Sequence, residues 1–401
     1  MMEVESPQEL DTKIVRYHVL LVEDNDMDVA VVRRSFQKDE TSPINGSIEL
    51  SVACSLSEAK VLLSQNSYDA ILLDLGLPEG VGIEILHKVT ALNLNVPIII
   101  LTGNEDKELG FEALRSGADD YLRKSAISEE TLPRSVRYSI ERSQRLQAER
   151  KWQQAHVEIL AAETIQQRLL PQSFPQIRGV EISGACLPAE KVGGDLFDFL
   201  TSDESSCTGV IADVSGHGLP AAILMTELHG LLHGLVEQKM SLPRLMAAAN
   251  YRTDQATEPH QFITMLSYQF SVAQRTFSYI SAGHPGWILK SNGKVVKLKS
   301  QYLPLGIRVS QEQMTLSTSK IDEGDIILLP TDGIFEMIGE DSHRFGVPRM
   351  IEFVQTLRHL SADEIVQSVL NEAMNFSLDN KPVDDCTLVV IKVISLDHER
   401  V

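Results

Sequence analysis

Apolar and polar positions change rhythm twice along the chain. Up to about residue 124, short apolar runs alternate with amphipathic stretches. HVLLV (18–22), IELSVA (48–53), DAILLDL (69–75), VPIIILTG (96–103) and DDYLRK (119–124) read as strands. DVAVVRRSF (28–36), SEAKVLLSQ (57–65) and KELGFEALRSG (107–117) have helical spacing, with Gly117 as a stop. Near-continuous apolar strands alternating with helices predict an α/β domain, a doubly wound five-stranded parallel sheet covered on both faces. From Arg134 to Leu170 there is neither glycine nor proline, which predicts one long helix or two abutting ones. Its first half carries Arg134, Arg137, Arg142, Arg145, Arg150 and Lys151 and reads as a solvated face. Its second half has an apolar stripe through Val157, Leu160 or Ala161, Ile165 and Leu169, suited to a neighbouring domain or to a coiled coil. Beyond about Gly179 the pattern becomes short strands separated by glycine turns, with helical stretches at 219–238, 242–256 and 361–376. Antiparallel strands with segregated helices predict an α+β layered sandwich. The expected division is therefore 17–133, a helical linker over 134–170, and 171–396.

Composition narrows the function. A chain of 401 residues accommodates two domains and a connecting segment. Its net charge of −20 argues against nucleic acid as a main partner, because phosphate backbones require a basic face. Cys54, Cys186, Cys207 and Cys386 form no C-x-x-C pair, so zinc-finger and redox motifs lack support and a reducing compartment is expected. The opening MMEVESPQELDTK has no apolar signal core, and no apolar run is expected to span a bilayer. The expectation is a cytoplasmic protein with no membrane partner.

The first chemical constellation lies at predicted strand ends. LLVEDND puts Glu23 and Asp24 after one strand, and ILLDLGLP puts Asp74 at the end of another. Functional groups of an open parallel sheet gather at its C-terminal edge. Three converging carboxylates repel unless a divalent cation sits among them, and oxygen-only donors suit Mg²⁺. Thr102 and Lys124 follow at the next two strand ends. Together they outline a phosphoryl-acceptor site, with Asp74 as nucleophile, Mg²⁺ and Lys124 neutralising charge, and Thr102 bonding phosphoryl oxygens.

These motifs, over roughly 17–140, resemble the receiver domain of two-component response regulators. The resemblance implies that Asp74 accepts phosphate from a histidine kinase or a phosphotransfer protein. It also implies that Asp24, with Glu23 and the Gly76 carbonyl, helps to hold Mg²⁺, and that Thr102 and Tyr121 are the switch hydroxyl and aromatic. One departure is Ser125, which follows Lys124 where the family usually has a proline joined by a cis bond.

The second constellation begins in KVGGDLFDF, where Asp195 follows Gly193 and Gly194. Asp213 ends the strand GVIAD, Asp332 lies in LLPTDG, and Asp384 and Asp385 precede the last strand in VDDCTLVV. No histidine or cysteine has ligand spacing around them, and an all-carboxylate set selects Mg²⁺ or Mn²⁺ over zinc. Two such ions can share a bridging carboxylate and activate water for in-line attack on phosphorus. The paired glycines are expected to let the backbone fold tightly before Asp195.

LLPQSFP, PAEKVGGDLFDF, ADVSGHGLPAA, FITML, SAGHP, LPLG, TDGIFE and DDCT resemble, as a set, the SpoIIE/RsbU-like branch of the PPM metal-dependent serine/threonine phosphatases. That resemblance implies an α-β-β-α sandwich with two Mn²⁺ or Mg²⁺ ions. Asp195 would bridge them, Asp213 and the Val214 carbonyl would bind one, and Asp332 and Asp384 the other, with Asp385 behind. His217 as a general acid and Lys191 as a phosphate ligand are weaker candidates, and His284 reads as structural. The implied substrate is a phosphoprotein such as an anti-sigma-factor antagonist, and the linker offers a route to a homodimer. The alternative is a non-catalytic adaptor that binds a sigma or anti-sigma factor under receiver control. A DNA-binding output is disfavoured by the acidity and by the lack of a helix-turn-helix segment.

Overall fold

In the computed structural model the described residues are 16–37, 47–80, 82–92, 94–103, 107–258, 260–307 and 314–396. They form two units, divided between residues 155 and 156.

The first unit holds β1 (Arg16–Val22), α1 (Asp26–Gln37), β2 (Ser47–Ala53), α2 (Leu56–Gln65), β3 (Ala70–Asp74), α3 (Ile83–Thr90), β4 (Ile98–Thr102), α4 (Lys107–Arg115) and β5 (Asp120–Arg123). The strands are parallel, in the order β2-β1-β3-β4-β5. Side chains of a strand alternate between faces. Leu20, Val22, Ile71 and Leu73 join Leu56, Ile85 and Leu86 in one core, while Val19, Leu21 and Leu72 join Val32, Val136 and Ile140 in another. Both faces are thus covered, which explains why the strands read as unbroken apolar runs. Helix α3 was missing from the sequence expectation.

A single helix, α5 (Thr131–Gln167), continues from the first unit into the second. In its second half Val157, Leu160 and Ile165 are exposed. Ile159, Ala162, Glu163 and Gln166, one step round the helix, are the part-buried positions.

The second unit holds β6 (Val180–Leu187), β7 (Leu196–Ser202), β8 (Ser206–Val214), α6 (Leu219–Glu237), α7 (Leu242–Ala256), β9 (Ile263–Ser271), β10 (Thr276–Ala282), β11 (Trp287–Leu289), β12 (Val295–Lys297), β13 (Ser317–Lys320), β14 (Ile326–Pro330), α8 (Asp332–Phe335), α9 (Val347–Thr356), α10 (Ala362–Phe376) and β15 (Cys386–Val393). Two antiparallel sheets run β13-β10-β9-β8-β7 and β12-β11-β14-β15-β6. Their facing sides meet in a core of Phe197, Ile211, Tyr268, Phe277, Ile327, Leu329 and Val389. On the outer side of the first sheet, Leu196, Val210 and Ala212 pack against Met225, Leu228 and Leu232 of α6 and Leu245 and Met246 of α7. On the outer side of the second, Leu328, Leu388 and Val390 pack against Met350, Val354, Ile365 and Val369 of α9 and α10. The result is the expected α-β-β-α sandwich. A reciprocal capping box, Ser361 with Glu364, starts α10.

LFDFLTS, straight after Asp195, is a strand that the sequence reading did not name. One sequence expectation needs correction, that no apolar run could span a bilayer. Helix α6 is long and apolar enough to cross a membrane by length and composition. Of its apolar residues, Met225, Leu228 and Leu232 are buried against the sheet, while Leu219 and Ile223 are exposed.

Candidate functional site

At the C-terminal edge of the parallel sheet, one oxygen each of Glu23, Asp24 and Asp74 lies within 4.8 Å of the others. Glu23 and Asp74 are buried, and Asp24 is exposed. The Lys124 ammonium reaches in from the turn after β5, 2.7 Å from Glu23 Oε2 and 3.2 Å from Asp74 Oδ1. It also lies 2.6 Å from Asp28 Oδ2, a partner the sequence reading missed. Burial works against the charged ammonium, but hydrogen bonds to Asp28 and Glu23 and the charge of Asp74 outweigh it and raise its pKa. Burial, with the charge of Asp74, raises the pKa of Glu23 despite Lys124. The Gly76 N–H donates to Asp74 Oδ2 at 3.1 Å. Thr102 is buried at the end of β4, and the Tyr121 ring lies against Gly110 of α4, where a Cβ would stand 2.6 Å from it. The Lys124–Ser125 bond is trans, and Lys124 still reaches Asp74. An all-oxygen set with one exposed member is the donor chemistry Mg²⁺ takes.

The second constellation is assembled from both sheets of the sandwich. Asp195 precedes β7 and Asp213 lies near the end of β8, adjacent strands of one sheet. Asp332 follows β14, and Asp384 and Asp385 precede β15, adjacent strands of the other. Asp195 is 2% exposed, and its Oδ2 accepts a hydrogen bond from Thr331 Oγ1 at 2.8 Å. Thr331 in turn accepts the Thr387 N–H at 2.8 Å. This hydroxyl ties one sheet to the other at the carboxylate, and it too was missed. The other oxygen, Asp195 Oδ1, is buried and has no hydrogen-bond partner among the described residues.

Electrostatics agree with that orphaned oxygen. Burial and then the Asp213 charge push the Asp195 carboxyl well above its usual range. Burial, with the charges of Asp332, Asp384 and Asp385, pushes Asp213 up to about 7. Asp332 is raised by burial and by Asp384. Carboxylates held together out of water need a proton or a cation among them. An orphaned buried carboxylate oxygen among further acids fits divalent ions with oxygen ligands. Asp195, Asp213, Asp332 and Asp384 are the side chains that would hold them.

Asp385 acts on the backbone. Its Oδ1 accepts the Ala189 N–H at 2.8 Å and its Oδ2 the Gly194 N–H at 2.6 Å, so the loop leading to Asp195 is drawn against the start of β15. The reason for the two glycines therefore differs from the expected one. Neither has a positive φ. A Cβ on Gly193 would stand 2.4 Å from Asp385 Oδ2, and one on Gly194 would stand 3.0 Å from the Val214 carbonyl oxygen. Close approach, not a special backbone conformation, requires them. Gln166 of α5 clasps the same turn: its Nε2 donates to the Gly193 carbonyl at 2.7 Å, and its Oε1 accepts the Gly193 N–H at 3.0 Å.

The weaker candidates lie elsewhere. His217 Nδ1 is 2.7 Å from Glu190 Oε1, and both side chains are exposed. Lys191 is exposed and pairs with Glu163 of α5 at 3.7 Å. His284 is buried beside Thr264 Oγ1 at 2.9 Å, and desolvation lowers its pKa to about 3. Histidines meet a different acid, one the sequence reading assigned no role: Asp198, three residues after Asp195, lies with His229 and His233. The run HGLLH, with i and i+4 on one helix face, was the available signal.

Comparison with known proteins matches residues 19–137 to the response regulator receiver domain family, and residues 203–394 to the family of stage II sporulation protein E (SpoIIE). The second match begins beyond Asp195. The chain is 28% identical over 242 residues to phosphoserine phosphatase RsbU of Bacillus subtilis (strain 168), covering 60% of this chain and 71% of that one. It is 25% identical over 164 residues to phosphoserine phosphatase RsbP of the same organism, covering 39% of this chain and 40% of RsbP. It therefore spans less than half the length of RsbP. Among solved structures, the SiaA-PP2C domain of Pseudomonas aeruginosa shares the fold, with a TM-score of 0.53 at 15% identity, over 60% of this chain and 97% of that domain.

Proposed function

The chain belongs to the response regulators with a PPM-type phosphatase domain of the SpoIIE family, and from that premise we propose that phosphorylation of Asp74 controls hydrolysis of phosphoserine or phosphothreonine on a partner protein. The observation that carries this reading is the gathering of acids from two sheets around Asp195 and Asp213, with Asp195 Oδ1 buried without a hydrogen bond among the described residues. A domain kept only for binding would have no use for that costly arrangement, which disfavours the adaptor alternative.

In the receiver domain, an Asp74 oxygen attacks the phosphorus of a phosphohistidine on a histidine kinase or a phosphotransfer protein. The P–N bond breaks and an acyl phosphate forms. Glu23, Asp24, Asp74 and the Gly76 carbonyl would hold Mg²⁺. Lys124, already 3.2 Å from Asp74 Oδ1, offsets charge on the phosphoryl group, and Thr102 and Tyr121 respond to it. In the phosphatase domain, Asp195, Asp213, the Val214 carbonyl, Asp332 and Asp384 would hold two Mn²⁺ or Mg²⁺ ions. When bound, these ions supply positive charge to the phosphoryl oxygens and lower the pKa of the attacking water. Thr331 fixes the rotamer of Asp195, and Asp385 fixes the loop that carries it. Water adds to phosphorus, the P–O bond to serine or threonine breaks, and the leaving oxygen takes up a proton.

The receiver is assigned to 17–133, the linker to 134–170 and the phosphatase to 171–396. The signal would pass along α5, because Gln166 near its end holds Gly193 two residues before Asp195. The exposed stripe of Val157, Leu160 and Ile165 suits a second copy of the linker. A phosphorylated anti-sigma-factor antagonist in the cytoplasm is the substrate class this reading favours. The test is hydrolysis of a phosphoserine peptide with Mn²⁺, with a chelator, and by Asp195→Asn. Activity is expected only with metal and with Asp195. An inert but folded wild type that still binds Mn²⁺ would favour the adaptor.

A further inference from the structure

Helix α6 carries His229 and His233 four residues apart, outside the carboxylate centre. Residues at i and i+4 share a helix face, and the two ring centroids are 4.5 Å apart. Strand β7 turns Leu196 and Leu200 toward α6 and Phe197 and Phe199 toward the other sheet. By the same alternation Asp198 faces α6. It is a buried carboxylate, and its Oδ1 accepts the Phe199 N–H at 2.7 Å. Its Oδ2 lies 2.6 Å from His233 Nε2 and 3.5 Å from His229 Nε2. Three donor atoms from two elements thus lie within 4.8 Å of one another.

We propose that Asp198, His229 and His233 form a second metal site, selective for a divalent transition-metal ion of the zinc class, which ties α6 to β7. Two imidazoles and one carboxylate are a borderline donor set of the kind zinc takes, unlike the all-oxygen set around Asp195. Three protein ligands leave a fourth position for water, and solvent reaches it because the His233 side chain is 46% exposed. A tetrahedral ion with bonds of about 2.0–2.1 Å keeps its donors roughly 3.3 Å apart. The His229–Asp198 separation is already close to that. His233 has to withdraw by less than about 1 Å, which rotation of a half-exposed ring provides. Without an ion the same groups form a hydrogen-bonded His–Asp–His cluster, so the experiment must separate the two.

The test is Co²⁺ titration of the full chain, in the wild type and in Asp195→Asn, where the carboxylate centre is impaired. A tetrahedral nitrogen–oxygen site gives cobalt an intense visible band, whereas octahedral oxygen sites give a weak one. The expected result is a strong band that saturates at a single equivalent in both proteins. It is displaced by stoichiometric Zn²⁺, untouched by millimolar Mg²⁺, and absent from His229→Gln/His233→Gln. Zinc affinity should fall at least tenfold in His233→Gln alone, and that variant decides the matter if the double variant does not fold. Absence of the band from both parent proteins, or a band and zinc stoichiometry unchanged in His233→Gln and the double variant, would overturn the proposal.

Discussion

A methyl group added at Gly193 would stand 2.4 Å from Asp385 Oδ2, on a carboxylate whose two oxygens each hold one backbone N–H, those of Gly194 and Ala189. Gly193→Ala must push that loop off Asp385 and carry Asp195 with it. The expected outcome is a loss of kcat/KM of at least tenfold and a stability loss of about 1–3 kcal/mol, read from urea unfolding. Unchanged activity would mean that the loop position does not matter. His284 makes a different prediction. Desolvation lowers its pKa from 6.5 to about 3, so below pH 6.5 the unfolded chain binds a proton that the folded chain refuses. Its stabilising effect is therefore complete above pH 6.5 and declines as the pH falls toward 3, by up to about 1.4 kcal/mol per pH unit. Between pH 6 and 4.5 the wild type should lose stability more steeply than His284→Gln; parallel slopes would refute this. At this scale the acids were readable from sequence because each abuts an apolar run and small residues. Thr331, Asp28 and the cluster at Asp198 were not, because their partners lie up to 136 residues away and meet only when the sheets pack.

The element that bears most on control is α5. Gln166 makes two hydrogen bonds to the Gly193 backbone, each worth about 0.5–1.5 kcal/mol net. Gln166→Ala should cut phosphatase activity severalfold or more while leaving phosphorylation of Asp74 intact, assayed with a small-molecule phosphodonor. Equal loss of both activities would point to general unfolding instead. The helix as a whole was legible from its lack of glycine and proline. Its working face was not: the expected stripe of Val157, Leu160 and Ile165 is exposed, and Gln166 does the holding. Periodicity marks apolar positions, whereas this contact is polar and made to backbone. Strand β7 escaped detection for a related reason, since Asp198 and the glycine pair before it look like loop chemistry until two histidines of α6 cover the acid.

At the scale of the whole molecule, one helix joins a domain of the receiver family to a domain of the SpoIIE phosphatase family. The central claim is that the first governs the second. The most direct test is Mn²⁺-dependent hydrolysis of a phosphoserine peptide by the full chain, with and without beryllofluoride, in the wild type and in Asp74→Asn. Beryllofluoride should change the wild-type rate severalfold, in either direction, and leave Asp74→Asn at its basal rate. An active enzyme whose rate is the same with and without beryllofluoride, or one that responds equally when Asp74 is replaced, would contradict control through the receiver.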